Sequence, residues 1–303
     1  MRLFIIPSWY PTRLHPESGS FFADRARMLQ TNGHEVTVIT AHIHSLRHYF
    51  RFKRLKQQHF NPENENGLIT YRFETVNPWP LIQRRFYHYY RRQLLCVWDL
   101  AVAERGKPDA VVVNSSLWAG AALADRLYQE KIPFIVSEHL KEFIAPNGFT
   151  PLQRECILNT YQKTAGIVAT SNALKTGIIQ HFPEYTNKIQ IIPNPVDTNF
   201  FVPNPNPVTE NLIFNFAVIA LLRLEKKIDL LIKAFSDLLQ ERPDCQLTIA
   251  GNGPERKALW ALIQKLNLKD QVKLVGDQSP TGVRELLHKS QALILPSTVE
   301  TFG

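Results

Sequence analysis

The sequence is poor in cysteine. Cys96, Cys156 and Cys245 are odd in number and scattered. That excludes a disulfide framework or a cysteine-rich metal site and makes a reducing cytosol the expected compartment. Long apolar runs are also missing, since nothing approaches the roughly 18 consecutive apolar residues that span a bilayer. The run from Leu3 to Pro7, broken by Pro7 and again by Pro11, is too short for a signal-peptide core. There is no Gly-x-Gly-x-x-Gly, which disfavours a nicotinamide dinucleotide. No Asp-x-Asp metal signature and no clear pair of hydrolytic carboxylates occur. Internal repeats and low-complexity tracts are absent.

What is present is globular. The 303 residues are 44% hydrophobic, 20% charged and 11% aromatic, which excludes disordered, collagen-like and coiled-coil chains. The length fits two domains of about 150 residues each. Such a chain buries on the order of three quarters of its unfolded surface. The net charge is +8, and it is unevenly placed. Residues 45 to 92 hold ten Lys/Arg against three Glu, whereas residues 206 to 303 are nearly balanced. The basic stretch is also aromatic: Tyr49, Phe50, Phe52 and Phe60, then Phe86, Tyr87, Tyr89 and Tyr90 among Arg84, Arg85, Arg91 and Arg92. Two readings stay open: a solvated helix face whose aromatics belong to the core, or an anionic membrane surface as partner. Nucleic acid is disfavoured. The discriminating observation is whether cations and rings share one face.

Apolar runs alternate with amphipathic segments. Strands are expected at Leu3–Ile6, Val36–Thr40, Ile69–Phe73, Ala110–Val113, Phe134–Ser137, Ile167–Ala169 and Ile189–Ile192. Helices are expected between them at Phe21–Thr31, Leu81–Glu104, Gly120–Glu130 and Leu152–Lys163. Pro203, Pro205 and Pro207 then interrupt the pattern and read as a linker. The alternation restarts with strands Leu212–Ala220, Gln246–Ala250, Val272–Val275 and Ala292–Leu295 and helices Ile228–Gln240, Pro254–Leu266 and Thr281–Lys289. The expected class is α/β: two doubly wound, Rossmann-like domains, 1–205 and 206–303, facing a cleft.

Several residues sit where such folds do chemistry. Gly19 lies between the first strand and the first helix, where a glycine lets backbone N–H groups approach an anion or simply makes a turn. Gly251, Asn252 and Gly253 form a strand-to-helix loop in the second half, followed by Pro254, which suits a first helical turn. Arg223, Lys226 and Lys227 follow the first strand of that half; they are either a solvated loop or cations placed to hold a diphosphate. Glu300, Thr301, Phe302 and Gly303 follow its last strand. A carboxylate there can accept hydrogen bonds from sugar hydroxyls.

In order along the chain, WYP…SGSFF, NGHEVTVIT, SEHL, ATSNALK, IIPNPVD, RLEKK, LTIAGNGPE and LPSTVETFG resemble glycosyltransferase family 4, the retaining enzymes of the GT-B fold. The resemblance runs from residue 1 to 303. It implies transfer of a sugar from a nucleotide-sugar, UDP- or GDP-linked, to a glycan or lipid-linked acceptor, with no cofactor and no metal. Cell-surface polysaccharide or glycolipid synthesis is the setting it implies, by a cytoplasmic protein that can rest on the inner face of the membrane. By resemblance, His139 of SEHL is the active-site histidine and Gly19 approaches the donor phosphates. Arg223 and Lys226 neutralise the diphosphate, Glu300 contacts donor-sugar hydroxyls, and Thr301, Phe302 and Gly303 reach sugar and phosphate through their backbone. Asn194 and Asp197 of PNPVD are expected to be structural. Three departures stand out. Arg223 is closer to Lys226 than the family has it, and Lys227 replaces a glycine. The second glutamate of the family's pair would fall beyond Gly303, so the second domain is expected to be incomplete. A truncated, inactive relative that only binds nucleotide or a partner therefore stays open; a GT-B epimerase fits PNPVD and PSTVETFG less well.

Overall fold

Each expected strand is present in the computed structural model, which describes residues 1–12, 18–45, 62–65, 67–79, 81–145, 148–205 and 213–302. The first unit, Met1–Pro195, begins with β1 (Arg2–Pro7), α1 (Ser20–Thr31) and β2 (Glu35–His44). The chain continues through β3 (Pro62–Glu65), β4 (Leu68–Val76), α2 (Gln83–Arg105), β5 (Ala110–Asn114) and α3 (Ala121–Gln129). β6 (Phe134–Glu138), α4 (Pro151–Lys163), β7 (Gly166–Ala169), α5 (Asn172–His181) and β8 (Ile189–Ile191) complete it. The sheet order is β3-β4-β2-β1-β5-β6-β7-β8, parallel except for the β3–β4 pair.

β1 shows why the layers form. Successive residues of a strand point to opposite faces. Phe4 and Ile6 are buried with Trp98 of α2 and Leu123 of α3, while Ile5 is buried with Phe22 and Ala26 of α1. Burying each such side chain contributes roughly 1.5–3 kcal/mol, so an apolar run covered on both sides commits to the sheet centre. β3 was not expected, because Pro62–Glu65 carries no apolar alternation. It forms as an edge strand: Gly67 turns the chain at φ 90°, and its N–H donates to Asn64 Oδ1 at 2.7 Å. Helix α5 was also not expected; Ser171 caps it by accepting from the Leu174 N–H.

The second unit, Val196–Thr301, contains β9 (Phe214–Ile219), α6 (Ile228–Glu241), β10 (Cys245–Ala250), α7 (Arg256–Lys265), β11 (Val272–Gly276), α8 (Pro280–His288) and β12 (Ala292–Leu293). Its parallel sheet runs β11-β10-β9-β12. The units divide at Pro195–Val196, whereas the proline-rich segment suggested residue 205. Part of that segment is held within the second unit: Arg284 of α8 stacks over Phe200, its guanidinium 4.5 Å from the ring centroid, and His288 Nε2 lies 2.9 Å from the Val202 carbonyl. Pro207 lies outside the described residues.

Strand order reverses between β1 and β5 in the first unit and between β9 and β12 in the second. The carboxyl ends at such reversals are where open α/β sheets leave room for ligands. Among the described residues, no helix is long and apolar enough to cross a membrane.

Candidate functional site

In the second unit the loops after β9 and β12 meet across the reversal. The Thr298 N–H donates to the Glu225 carbonyl at 3.0 Å, tying the two loops together. Next to this tie, Lys226 Nζ lies 2.5 Å from Glu300 Oε1, and the two side chains are 21% and 29% exposed. The cation and the carboxylate expected to serve the donor are therefore side by side. Arg223 is exposed and makes no side-chain hydrogen bond or ion pair among the described residues, so the structure does not bring it into this pair. Lys227 adopts the left-handed conformation at φ 51°, ψ 33° as it enters α6, at the position where the resemblance expects glycine.

Gly251 and Gly253 let the loop after β10 pass close to the loop after β9. A Cβ on Gly251 would stand 2.0 Å from the Ala220 carbonyl oxygen, and φ is 119°. A Cβ on Gly253 would stand 2.4 Å from the Leu222 carbonyl oxygen. The loops are further joined by the Leu222 N–H donating to the Asn252 carbonyl at 2.8 Å. The Gly253 N–H donates to Asn252 Oδ1 at 3.0 Å. Thr301 and the exposed Phe302 follow Glu300, while Gly303 lies outside the described residues.

In the first unit, Gly19 caps α1 in the left-handed conformation, φ 69°, with no room for a side chain against the Trp9 carbonyl. One turn into α1, Phe22 presents its ring edge-on to His139, 4.8 Å between centroids, and Phe21 lies 5.2 Å away. His139 follows β6 and is 9% exposed. Burial first, and the Arg25 cation second, push its pKa down to about 3. The ring is therefore neutral at neutral pH.

Sequence reading missed Arg25 and Ser137 beside this ring and named Asn194 only as structural. Arg25 Nη1 donates to Ser137 Oγ at 2.7 Å, and its Nη2 donates to Asn194 Oδ1 at 3.0 Å. Ser137 Oγ lies 3.1 Å from His139 Nε2. Asn194 thus joins the PNPVD segment to the histidine through Arg25. The signal was available: Arg25 stands three residues after Phe22 and one before Ala26, on the buried stripe of α1. Beside this group Glu138 is fully enclosed. It accepts from the Ser116 N–H at 3.1 Å and the Tyr161 hydroxyl at 2.9 Å. Burial raises its pKa despite these donors.

The basic-aromatic stretch divides. Residues 46–61, with Tyr49, Phe50, Phe52 and Phe60, lie outside the described residues. On α2 the cations and rings take different faces. Arg85, His88 and Arg92 are exposed, whereas Tyr90 is buried and Phe86 and Tyr87 lie against Trp118. Just before α2, Trp79, Leu81 and Ile82 are exposed, and Arg85 sits over the Trp79 ring.

Residues 19–200 match the family model described as Glycosyltransferase Family 4, and residues 198–303 match that of Glycosyl transferases group 1. An uncharacterized glycosyltransferase of Methanocaldococcus jannaschii is 24% identical over the whole chain and 76% of its own length. The gpi3 component of phosphatidylinositol N-acetylglucosaminyltransferase from Schizosaccharomyces pombe is 26% identical over 45% of the chain, which spans 30% of that relative. A component of the human phosphatidylinositol N-acetylglucosaminyltransferase is 32% identical over 38% of the chain and 23% of its own length. Among solved structures, Anabaena HepE in complex with UDP and glucose superposes with a TM-score of 0.69 at 18% identity, covering 100% of the chain and 76% of HepE. Starch synthase IV of Arabidopsis thaliana, bound to ADP and acarbose, superposes with a TM-score of 0.67 at 15% identity over 100% of the chain and 79% of that enzyme. The fold is GT-B.

Proposed function

The chain belongs to glycosyltransferase family 4, and from that premise we propose that it transfers a sugar from a nucleotide-sugar to a glycan or lipid-linked acceptor with retention of configuration. The observation that carries this reading is the pairing of Lys226 with Glu300 at the strand reversal of the second unit. In the reaction, the bond from the anomeric carbon to the diphosphate oxygen breaks and a bond to the acceptor oxygen forms on the same face. The acceptor's proton passes to the leaving phosphate, so no protein base is assigned. Negative charge grows on the diphosphate, and a preorganised cation there stabilises the transition state more than the ground state. Lys226 supplies that cation when it exchanges Glu300 for phosphate oxygens. Glu300 is then free to accept hydrogen bonds from sugar hydroxyls. The resemblance assigns His139 and Gly19 of the first unit to the same reaction.

HepE with UDP and glucose supports a UDP-linked donor, and the two phosphatidylinositol N-acetylglucosaminyltransferase relatives support a lipid-linked acceptor. Exposed Trp79, Leu81 and Ile82, with Arg84 and Arg85 beside them, support an anionic membrane as the surface on which such an acceptor is met. The test is release of UDP or GDP from a panel of nucleotide-sugars. Turnover with at least one donor, lost in Lys226→Ala, is expected. Release that is unchanged in Lys226→Ala would refute the reading.

A further inference from the structure

Three side chains, one from α1 and two from the carboxyl end of β6, form a line that ends on the His139 ring. Arg25 comes from α1, Ser137 from the end of β6, and His139 from the residue just past it. The direction of each hydrogen bond follows from what each group can do. A guanidinium only donates, so Arg25 Nη1 occupies one lone pair of Ser137 Oγ. Ser137 is 1% exposed, and its hydroxyl carries a single proton. The acceptor within reach of that proton among the described residues is His139 Nε2, at 3.1 Å. Were Nε2 protonated, it would donate to Oγ, and the enclosed hydroxyl proton would be left without a partner. An unmade hydrogen bond of that kind costs about 1–3 kcal/mol. The doubly protonated ring would suffer the same loss and would add a second positive charge near Arg25.

We propose that Arg25 is a positioning residue: through Ser137 it fixes His139 as the neutral ring with its proton on Nδ1, so that His139 serves the transfer as a hydrogen-bond donor and not as a base. This rests on the reading of His139 as part of the transfer site. Asn194 holds the other arm of the guanidinium and so fixes its aim. The surroundings of the ring allow little else. From α1 it meets Phe21, Phe22 and the Arg25 charge. The neighbouring Glu138 carboxyl is engaged by the Ser116 N–H and, from α4, by the Tyr161 hydroxyl. Nδ1 makes no protein hydrogen bond among the described residues and is not one of the buried atoms that lack a partner. It is the nitrogen left for a sugar hydroxyl or a phosphate oxygen.

The experiment is long-range proton–nitrogen NMR of the imidazoles in the labelled protein, with His139 assigned by its loss in His139→Gln. In the wild type, Nε2 is expected to resonate as an unprotonated nitrogen and Nδ1 as a protonated one, unchanged from about pH 8 to pH 5. Ser137→Ala is expected to let the ring exchange between tautomers, and Ser137→Thr, which keeps the hydroxyl, to restore the single form. Arg25→Gln is expected to move the His139 midpoint up toward its ordinary 6.5. A protonated Nε2 in the wild type, or a ring already titrating near 6.5, would overturn the relay whatever the turnover. The expected tautomer combined with undiminished nucleotide release in His139→Gln would instead overturn the placing of His139 in the transfer site.

Discussion

The strand ends of the two units are built in opposite ways. Around His139 the polar groups are enclosed and largely tied within the unit: Ser137, 1% exposed, bonds Arg25 and His139, and Glu138, 0% exposed, takes two donors on Oε1 while its Oε2 has none. Around Lys226 they stand partly in water as an ion pair, and Arg223 and Asn252 of the loops after β9 and β10 are exposed. An enclosed network is set before any ligand arrives, because an unmatched buried group is costly. A half-exposed ion pair is worth little in itself, so it can be exchanged for a ligand's charge at low cost. On the proposed reading, the first unit is a fixed template and the second a site that rearranges its charges on binding.

The largest test of this contrast falls on the exchangeable charge. Lys226→Ala is expected to lower kcat about 100- to 1,000-fold, the range for losing one preorganised stabiliser of a leaving group, read by nucleoside-diphosphate release. Next comes the glycine loop that supports it. Gly251→Ala would press a methyl group into the Ala220 carbonyl at a φ that disfavours side chains. It is expected to cost about 3 kcal/mol of stability, seen as a lower denaturant midpoint. In the template, Tyr161→Phe removes one of the donors to enclosed Glu138 and is expected to cost about 1–2 kcal/mol.

The pH dependence of Glu138 has a definite sign. Its folded pKa is raised above the ordinary 4.5, chiefly by burial. The unfolded chain therefore loses this proton first as pH rises. Stability attached to Glu138 is fully present below pH 4.5 and declines as pH climbs through the raised value. Wild type is thus expected to lose stability relative to Glu138→Gln as pH increases, measured by parallel denaturation curves. The smallest effect is at Lys227. Replacing this left-handed lysine by glycine removes a steric penalty of about 1–2 kcal/mol, part of which glycine's greater unfolded entropy offsets. A gain of up to about 1 kcal/mol in thermal stability is expected.

Much of this was legible in the residues. Leu3–Ile6 and Ala110–Val113 read as buried strands because a parallel sheet covered on both faces needs unbroken apolar runs. Phe21–Thr31 read as a helix because its apolar residues recur at helical spacing. β3 was not legible, since a polar edge strand is held by a turn and by its neighbour's backbone. Glu300 and Lys226 could be named from order along the chain, but their separation of 2.5 Å could not. Arg25 was visible only as a charge on an apolar stripe, with nothing in its neighbours to say what it would meet.

By itself, then, the sequence determined the alternation, the family and the residue types at each strand end. These depend on local periodicity and on short segments read in order. The tertiary structure decided which of those residues touch. Ser137 and Asn194 stand 112 and 169 positions after Arg25, and only the parallel stacking of strands brings them to one ring. Whether a charge is buried or wet, and so whether it is fixed or exchangeable, follows from that stacking and not from the residue's identity.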